Sequence, residues 1–324
     1  MKTAVVLFNL GGPDSLEAVE PFLRNLFSDP AIIGLPNPLR WLVAKLISSR
    51  RRTTAQAIYA QIGGKSPLRE LTEAQAAALQ TRLNDGGAGD HRCFVAMRYW
   101  HPFADETAKA VAAYAPDRIV LLPLYPHYSK TTTGSSFKDW AGAAAAAGLT
   151  QPTASVREYP DHPGYVAALA AQLRNALDQA RLKGAFRLLF SAHGLPKKVI
   201  DGGDPYQAQI ERTAAAVIAA LGTDAAGLDW RVCYQSRVGP LEWIGPPTEA
   251  EIKRAGEEAL GLVVLPIAFV SEHSETLVEL DIEYRELAEH HGVPFYIRVP
   301  ALGTDAGFIA ALADLVRQSS SQAN

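Results

Sequence analysis

The sequence has few cysteines, little net charge and no long apolar run, and each absence excludes a class of protein. Only two of its 324 residues are cysteines, Cys93 and Cys233, too few for a four-cysteine iron–sulfur cluster or a disulfide framework. The net charge of −3 gives no reason to expect a nucleic-acid partner. No stretch approaches the roughly 20 apolar residues of a membrane span. The apolar N-terminus is too short for a signal sequence, so a cytoplasmic protein is expected.

Short apolar runs alternate with helical patterns along the whole chain. Most runs are continuously apolar, as in strands covered on both faces. Strands that alternate with helices indicate right-handed crossovers and parallel sheets. The sequence therefore predicts an α/β protein with about four strands in each half and a boundary near residue 159. The predicted strands are Thr3–Asn9, Cys93–Tyr99, Ile119–Tyr125, Ser155–Tyr159, Phe186–Ala192, Arg231–Gln235, Leu262–Phe269 and Phe295–Val299.

Helical patterns fill the gaps between these strands. One helix is predicted to begin at Asp14, with Glu17 completing a capping box, and to be kinked or interrupted at Pro21. The alanine-rich tract after Trp140 is a strong helix former. The other predicted helices are Glu70–Leu83, Asp105–Tyr114, Pro163–Leu182, Pro205–Leu221 and Thr248–Leu260.

Polar and aromatic loops follow the carboxyl ends of the predicted strands, where open α/β sheets bind their ligands. If the two halves face each other, one cleft collects six such loops. The glycine pair of NLGGPDS allows a phosphate cradle or a tight turn, but its spacing is neither GxGxxG nor a P-loop. That disfavours a nicotinamide-dependent enzyme. The six loops are NLGGPDS, MRYWHPF, LYPHYSKTTTGSS, SAHGLP, QSRVGPLEW and SEHSE.

Residues 271–284, SEHSETLVELDIEY, hold five carboxylates and a histidine but no lysine or arginine. In a helix, Glu275, Glu279 and Glu283 would form one ridge at spacings of four residues. Two interpretations stay open, a solvated acidic face and a track for a hydrated cation. The repulsion of like charges and the position after a strand favour the track. Carboxylates with imidazole suit Fe²⁺, Mn²⁺, Co²⁺ or Zn²⁺.

A second unusual segment is the apolar lip, residues about 27–52. Three prolines, at positions 30, 36 and 38, exclude one long helix across its first part, and three arginines, at 50 to 52, follow its apolar residues. The segment is either a buried connection or a lip that contacts a flat apolar ligand or a membrane surface. The arginines could then bind carboxylates of such a ligand.

Six motifs together resemble the ferrochelatases, over residues 5 to about 285. The resemblance implies two Rossmann-like domains, each with a mostly four-stranded parallel sheet flanked by helices, and an active-site cleft between them. It implies domains at 1–159 and 160–304 and a C-terminal helix, 305–324, that packs back on the first domain. It implies a lyase that inserts Fe²⁺ into protoporphyrin IX with release of two protons, the last step of heme biosynthesis. The motifs are NLGGPDS, IGGKSPL, LYPHYSKTTTGSS, SAHGLP, YQSRVGPLEWIGP and LPIAFVSEHSETLVELDIEY.

The resemblance also implies roles for individual residues. His193 and Glu275 are the catalytic pair, expected on opposite walls of the cleft, with His273, Glu279 and Glu283 as further metal ligands. Whether His193 binds metal or accepts a proton is left open by the sequence. The implied porphyrin-binding residues are Arg51, Tyr59 and Ser66 at the propionates, Arg98 and Tyr99 beneath the macrocycle, Tyr125 in a cleft loop, and Trp243 against the ring.

The expected ligands are protoporphyrin IX and Fe²⁺, both as substrates, with no prosthetic group and no iron–sulfur cluster. The apolar lip is a candidate contact with a membrane or with an upstream porphyrinogen oxidase, and the oligomeric state is undetermined. Two alternatives remain. The chain could be a chelatase for another tetrapyrrole, such as coproporphyrin or a cobalt precursor, or a tetrapyrrole- or metal-binding protein without turnover.

Overall fold

The computed structural model describes residues 1–85, 87 and 89–322. Within these residues the chain forms eight strands in two parallel four-stranded sheets. Seven predicted strands are present near their predicted positions, whereas the strand predicted at Ser155–Tyr159 lies earlier, at Thr153–Ser155, and shares only Ser155 with the prediction. The α/β class is confirmed. Five strands stop before their predicted ends, and two of them do so at Pro123 and Pro266, because a proline cannot continue the hydrogen-bonded ladder. The strands are β1 Lys2–Asn9, β2 Asp90–Met97, β3 Arg118–Pro123, β4 Thr153–Ser155, β5 Phe186–His193, β6 Trp230–Gln235, β7 Gly261–Pro266 and β8 Tyr296–Arg298.

The two sheets have the same strand order. The first runs β2-β1-β3-β4 and the second β6-β5-β7-β8. The central strands β1 and β5 are buried almost throughout, which explains their continuous apolar sequence. In each sheet the edge strand beside the central one, β2 or β6, ends in a loop with polar side chains. The shared order therefore gives the two sheets corresponding strand ends.

Eleven α-helices surround the sheets in the described residues. The first begins at Val19, so the prediction of a helix from Asp14 is wrong. Pro21 lies in the first helical turn, where backbone N–H groups have no intrahelical partner, so it neither kinks nor interrupts the helix. The helices are α1 Val19–Ser28, α2 Leu39–Ala60, α3 Leu68–Asn84, α4 Ala104–Tyr114, α5 Thr133–Ala146, α6 Pro163–Arg181, α7 Lys197–Asp201, α8 Tyr206–Leu221, α9 Thr248–Glu257, α10 Tyr284–His290 and α11 Ala306–Gln322.

A further helical segment, Glu275–Glu283, is a π-helix. The amide of Tyr284 bonds to the carbonyl of Glu279, the i to i+5 pattern of that helix type. It carries the acidic residues singled out in the sequence. Its inner side is apolar, since Val278 and Leu280 are buried and Leu280 joins the core of the second sheet.

The chain divides into two compact units. The first comprises Met1–Glu158 and Leu312–Asn324, and the second comprises Tyr159–Ala311. In the first unit, Arg118 donates to the carbonyl of Ser320 at 2.6 Å, which ties the end of α11 to the start of β3. None of the described helices has the length and apolar character needed to cross a membrane.

The two cysteines are far apart in sequence and each is a free thiol. Cys233 is buried in the second unit as predicted, whereas Cys93 is only partly buried. Burial raises the pKa of both thiols to about 12, so neither is a thiolate near neutral pH.

Candidate active site

His193 is the last residue of β5, the central strand of the second sheet. It pairs in register with Gln235 at the end of β6, and its carbonyl accepts a hydrogen bond from the Tyr206 hydroxyl at 3.0 Å. Gly194 follows because a Cβ there would lie 3.0 Å from the Gln235 carbonyl oxygen and 3.3 Å from the Trp243 ring. The strand end therefore holds the imidazole in a fixed place.

Glu275, the first residue of the π-helix, lies beside His193. The His193 Nδ1 and the Glu275 Oε2 are 2.8 Å apart, a hydrogen bond. The expectation that these two residues stand on opposite walls is therefore wrong. Both belong to the second unit, because the π-helix begins shortly after β7, the neighbour of β5 in the sheet. The contact orients the ring and leaves Nε2 as the nitrogen available for chemistry.

The two groups change each other's protonation. Burial by itself lowers the pKa of His193, but the charge and hydrogen bond of Glu275, together with the charge of Glu279, outweigh it and raise that pKa above 6.5. Burial by itself raises the pKa of Glu275, but the charge and hydrogen bond of His193, with smaller effects of His273 and the Ser236 hydroxyl, outweigh it and bring that pKa to about 2. The side chain of His193 is still 37% exposed. The pair is therefore an ionised carboxylate beside an imidazole of increased basicity.

Gln235 and Ser236 join Glu275 to the next acidic residue, Glu279. The Ser236 hydroxyl lies 3.0 Å from Glu275 Oε2 and bonds closely to Glu279 Oε2, and the Ser236 amide donates to Glu279 Oε1 at 2.7 Å. The side-chain amide of Gln235 donates to Glu279 Oε2 at 3.0 Å. Ser236 has a φ of 61°, a strained backbone for a residue other than glycine. The strained backbone thus lies at Ser236, whose polar groups contact both Glu275 and Glu279.

Glu279 differs from Glu275 in its electrostatics. Burial, and then the charge of Glu275, raise the pKa of Glu279 above 4.5. The hydroxyl of Tyr284 donates to Glu279 at 3.1 Å. Its partners are thus neutral donors, and in the described residues neither it nor Glu275 has a lysine or arginine in an ion pair. One carboxylate is held ionised and its neighbour takes a proton more readily.

The other two predicted metal ligands lie less close to this pair. His273 Nε2 is 4.0 Å from Glu275 Oε2, and its ring packs on Phe269. Burial lowers the pKa of His273, although Glu275 acts in the opposite direction. Glu283 ends the π-helix and is exposed, and the described hydrogen bonds do not connect it to Glu275 or Glu279. The described residues contain no preformed metal cage of three His, Cys, Asp or Glu side chains.

Trp243 lies against the turn that follows His193. The loop that carries it pairs with residues 195–197, since Ile244 donates to Leu195 at 3.0 Å and Lys197 donates to Glu242 at 2.8 Å. These backbone bonds hold the indole next to Gly194.

The first unit contains a second buried carboxylate, Asp29. Arg98, directly after β2, forms an ion pair with Asp29 at 2.9 Å and donates to Ser135 at 2.7 Å. The Tyr99 hydroxyl donates to Asp29 at 2.9 Å, and the Ser135 hydroxyl bonds closely to the same oxygen. The Asp29 side chain is 2% exposed. Arg98 is therefore held at the start of the apolar lip, and Tyr99 is a buried residue with no free ring face in this structure.

The predicted propionate residues Tyr59 and Ser66 are both buried in the first unit, near the glycine pair. A Cβ at Gly12 would lie 2.4 Å from the Ser66 hydroxyl oxygen, so the chain comes too close there for any side chain. Gly11 has a φ of 82°. The pair is thus a tight, closely packed turn. Arg51 is exposed on α2, and Tyr125 is buried in the core beside β3.

The apolar lip is not a buried connection. Its helical part, α2, starts directly after Pro38, in agreement with the exclusion of a single helix across the prolines. Six of its apolar side chains are 38–54% exposed: Ile32, Leu35, Leu39, Trp41, Leu42 and Leu46.

Sequence reasoning missed three contributors to these sites: Gln235, Ser236 and Asp29. Gln235 and Ser236 stood in a loop motif without chemistry of their own, and their importance comes only from pairing with β5 and the π-helix. Asp29 offered a signal, because an acidic residue inside an apolar segment needs a partner if it is buried.

Comparisons with known proteins identify the family. A family model described as Ferrochelatase matches residues 2–320. A ferrochelatase from Phenylobacterium zucineum (strain HLK1) is 58% identical over 315 residues, covering 97% of this chain and 90% of that relative. One from Caulobacter vibrioides (strain NA1000 / CB15N) is 56% identical over 319 residues, covering 98% and 90%. One from Wolbachia sp. subsp. Drosophila simulans (strain wRi) is 50% identical over 315 residues, covering 97% and 98%.

Solved structures share the fold at low sequence identity. SirB from Bacillus subtilis with Fe³⁺ superposes with a TM-score of 0.56 at 12% identity, covering 99% of this chain and 97% of that one. DR2241 from Deinococcus radiodurans, described as similar to chelatases, gives 0.55 at 15% identity, covering 99% of this chain and 55% of that one.

Proposed function

The chain belongs to the ferrochelatase family, and from that premise we propose that it inserts Fe²⁺ into protoporphyrin IX, the last step of heme biosynthesis. Relatives of 50–58% identity over nearly the whole chain carry that name. The observation that carries the proposal is the 2.8 Å contact of His193 with Glu275, beside a second carboxylate that has no permanent cation.

Insertion breaks two pyrrole N–H bonds and forms bonds from nitrogen to Fe²⁺, so two protons leave and no electron is transferred. His193 Nε2 accepts the two pyrrole protons one after the other and releases each to solvent, since Nδ1 is committed to Glu275 and the ring is partly exposed. The Glu275 carboxylate stabilises the imidazolium that forms, and its effect on the pKa of His193 makes the ring a stronger base. Proton acceptor, rather than metal ligand, is the role that we propose for His193.

Glu279 and Glu275 bind the incoming dication. Their partners in the described residues are hydroxyls, amides and a titratable imidazole, so Fe²⁺ need not displace a lysine or arginine. Ser236 holds the two carboxylates together, and His273 and Glu283 extend the route as weaker, outer contacts. Because like charges repel, a cation between the carboxylates relieves their repulsion.

The macrocycle must bend, because the nitrogen lone pairs of a flat porphyrin do not point at a metal that approaches one face. The bend is a ground-state strain of about 1–5 kcal/mol supplied by binding of the rest of the ring. We assign one ring face to Trp243, which lies at the turn after His193. Arg98, Tyr99 and Tyr125 stay predictions from the resemblance, and Tyr99 and Tyr125 are buried, so neither offers a ring face to the macrocycle in this structure. Arg51, Tyr59 and Ser66 would hold the propionates. No prosthetic group is proposed.

The direct test mixes the purified protein with protoporphyrin IX and Fe²⁺ or Zn²⁺ under anaerobic conditions. The visible spectrum should change from that of the free base to that of the metalloporphyrin. A second arm with coproporphyrin distinguishes the tetrapyrrole preference. Porphyrin binding without any spectral conversion would overturn the proposal in favour of a carrier.

A further experiment separates proton acceptor from metal ligand at His193. In His193→Gly, free imidazole can occupy the vacated space and act as a base. We expect it to restore part of kcat while the KM for Fe²⁺ stays near the wild-type value. A large increase in that KM without any rescue would make His193 a metal ligand instead.

We also propose that the apolar lip contacts an anionic membrane surface. Six exposed apolar side chains next to Arg40, Lys45 and the arginines at 50 to 52 have the composition of an interfacial anchor. The test is sedimentation with phosphatidylcholine vesicles, with and without phosphatidylglycerol. Leu39→Ser/Leu42→Ser should reduce binding, and Leu182→Ser, a leucine 90% exposed elsewhere, should not. Equal binding by all variants would contradict the proposal, and capture by a porphyrinogen oxidase alone would assign the lip to that partner.

A further inference from the structure

Arg298, on the edge strand β8, binds the acidic segment on both sides of its catalytic residues. It donates to Asp281 through two nitrogens, from Nε at 2.7 Å and from Nη2 at 2.5 Å. Its Nη1 donates to Glu272 at 2.7 Å. Glu272 precedes the π-helix and Asp281 lies near its end. The two carboxylates that bind this guanidinium therefore lie on either side of Glu275 and Glu279 in the sequence.

We infer that Arg298 is a positioning residue for metal binding, which holds the π-helix in the register that places Glu275 and Glu279 beside His193. The inference rests on the proposed function. The described hydrogen bonds and ion pairs of Arg298 involve neither His193, Glu275 nor Glu279, so Arg298 acts through the helix rather than on a substrate.

A π-helix needs such a restraint. Its i to i+5 hydrogen bonds are rare and occur mostly as single turns, whereas this segment has nine residues. Without an external restraint the backbone can return to α-helical hydrogen bonding, which would rotate each glutamate by a different amount. A planar, bidentate guanidinium is the side chain that best fixes such a geometry.

Other contacts attach the same helix to the same strand. The hydroxyl of Tyr296, on β8, donates to the carbonyl of Leu280 at 2.9 Å. Arg285 donates to the carbonyl of Tyr296 at 3.0 Å, and the Ala301 amide, just beyond β8, donates to Glu272 at 2.9 Å. Arg298 and Arg285 are the charged members of this set, and Arg298 is the more buried, with its side chain 10% exposed against 41% for Arg285.

The second unit offers a matched control in Arg187, on the central strand β5 of the same sheet. Its side chain is 3% exposed and also donates to two carboxylates, Asp229 at 2.7 Å and Glu258 at 2.6 Å. It lies at the start of β5, whereas His193 is at the end. Loss of either arginine removes a buried ion-pair network, but only Arg298 holds the π-helix.

The experiment compares R298M with R187M in the full-length protein. We expect R298M to raise the KM for Zn²⁺ about 10-fold or more, the usual effect of removing a residue that orients metal ligands. The KM for protoporphyrin should stay within about twofold of wild type, and R187M should leave both values unchanged. Calorimetric titration with Zn²⁺ alone should show the same contrast in Kd. Equal metal affinities for the two variants would overturn the inference.

Two milder variants keep the test valid if R298M does not fold. R298K retains the charge but not the bidentate contact, and D281N retains the shape of its partner. Both should weaken Zn²⁺ binding less than R298M, and the double variant R298M/D281N should be no worse than R298M because the residues act as a pair. Additive losses, or wild-type metal affinity in both mild variants, would contradict the inference.

Failure of the proposed function would look different. If the wild type binds Zn²⁺ but converts no porphyrin, the proposed function is wrong whatever R298M does. If the wild type converts porphyrin and R298M matches R187M, only the role of Arg298 is wrong.

Discussion

The two sheets present different polar groups at corresponding positions. Arg98 is the first residue after β2, and Ser236 is the first residue after β6, the strand with the same place in the sheet order. Arg98 pairs with Asp29, whereas Ser236 gives its hydroxyl and amide to Glu275 and Glu279. One carboxylate centre has a fixed cation and the other has only neutral donors and an imidazole.

The same strand order thus supports a neutralised carboxylate in the first sheet and leaves carboxylate charge available in the second. A buried carboxylate with a guanidinium is neutralised permanently, and removing either partner leaves an uncompensated charge. Glu275 and Glu279 are left for a mobile cation. A fixed arginine at position 236 would neutralise the proposed metal site.

The largest expected effect is loss of turnover on replacing His193. His193→Ala should lower kcat for metal insertion by about 10²–10⁴-fold, the range for loss of a general base, while porphyrin still binds. His101 is the matched control in the first unit, because its Nδ1 also lies 2.8 Å from a glutamate, Glu106. His101→Ala should leave kcat unchanged. Spectrophotometric assays of both variants measure the contrast, and comparable losses in the two would refute the comparison.

The next largest effect is on the free energy of unfolding when Asp29 or Glu275 is replaced by its amide. Asp29→Asn leaves Arg98 partly buried without its main partner, so it should lower the free energy of unfolding by about 3 kcal/mol. Glu275→Gln should change that free energy by less than about 1 kcal/mol, because its partner His193 can become neutral. It should nevertheless abolish insertion. Urea unfolding combined with initial rates tests the pattern, which fails if Glu275→Gln is the less stable variant.

The contribution of the His193–Glu275 pair to the free energy of unfolding should depend on pH. The raised pKa of His193 means that its contribution is complete below pH 6.5 and is lost as the pH rises through the folded value. The lowered pKa of Glu275 means that its contribution is present above 4.5 and is lost as the pH falls toward about 2. Both contributions are therefore present together between pH 4.5 and 6.5.

The measurement is the difference in unfolding free energy between wild type and His193→Asn at several pH values. It should be largest in that window and decline above it, by under about 1 kcal/mol because the ring is partly exposed. A His193→Asn difference that grows with rising pH would have the wrong sign.

The smallest effect concerns backbone strain. Ser236 and Ala115 both have positive φ, 61° and 50°. Ala115→Gly, at the end of α4, should raise the unfolding free energy by about 1 kcal/mol and leave activity unchanged. Ser236→Gly should relieve similar strain but lose the hydroxyl shared by the glutamates, so kcat should fall several-fold. Ser236→Ala separates strain from hydroxyl, and full activity in Ser236→Ala would show that the hydroxyl is dispensable.

The fold could be predicted because its signals are local. Continuous apolar runs in β1 and β5 and helical patterns between strands are properties of neighbouring residues. The start of α1 could not be predicted as easily, because Pro21 is compatible with either a kink or a first turn. The sequence of Glu275–Glu283 has no local feature that distinguishes a π-helix from an α-helix. The prediction of one α-helical ridge therefore grouped Glu283 with Glu275 and Glu279, from which the structure separates it.

The site was predictable in its residues but not in its distances. His193 and Glu275 were identified from their motifs, yet the opposite-wall arrangement was wrong because sequence does not show that β5 and β7 are neighbours. Ser236 and Asp29 were missed for the same reason. Their roles depend on partners 39 to 106 residues away.

The register of β5 with β6 has a mechanical consequence. His193 faces Gln235 in the ladder, and the amide of Gly194 still bonds to the Gln235 carbonyl at 2.8 Å. The His193 imidazole is thus attached to hydrogen-bonded strand backbone rather than to a flexible loop. Amide deuterium uptake at Gly194 should therefore be nearly as slow as at Phe190 in the middle of the strand. Motion of the surrounding loops would then not change the orientation of the His193 imidazole.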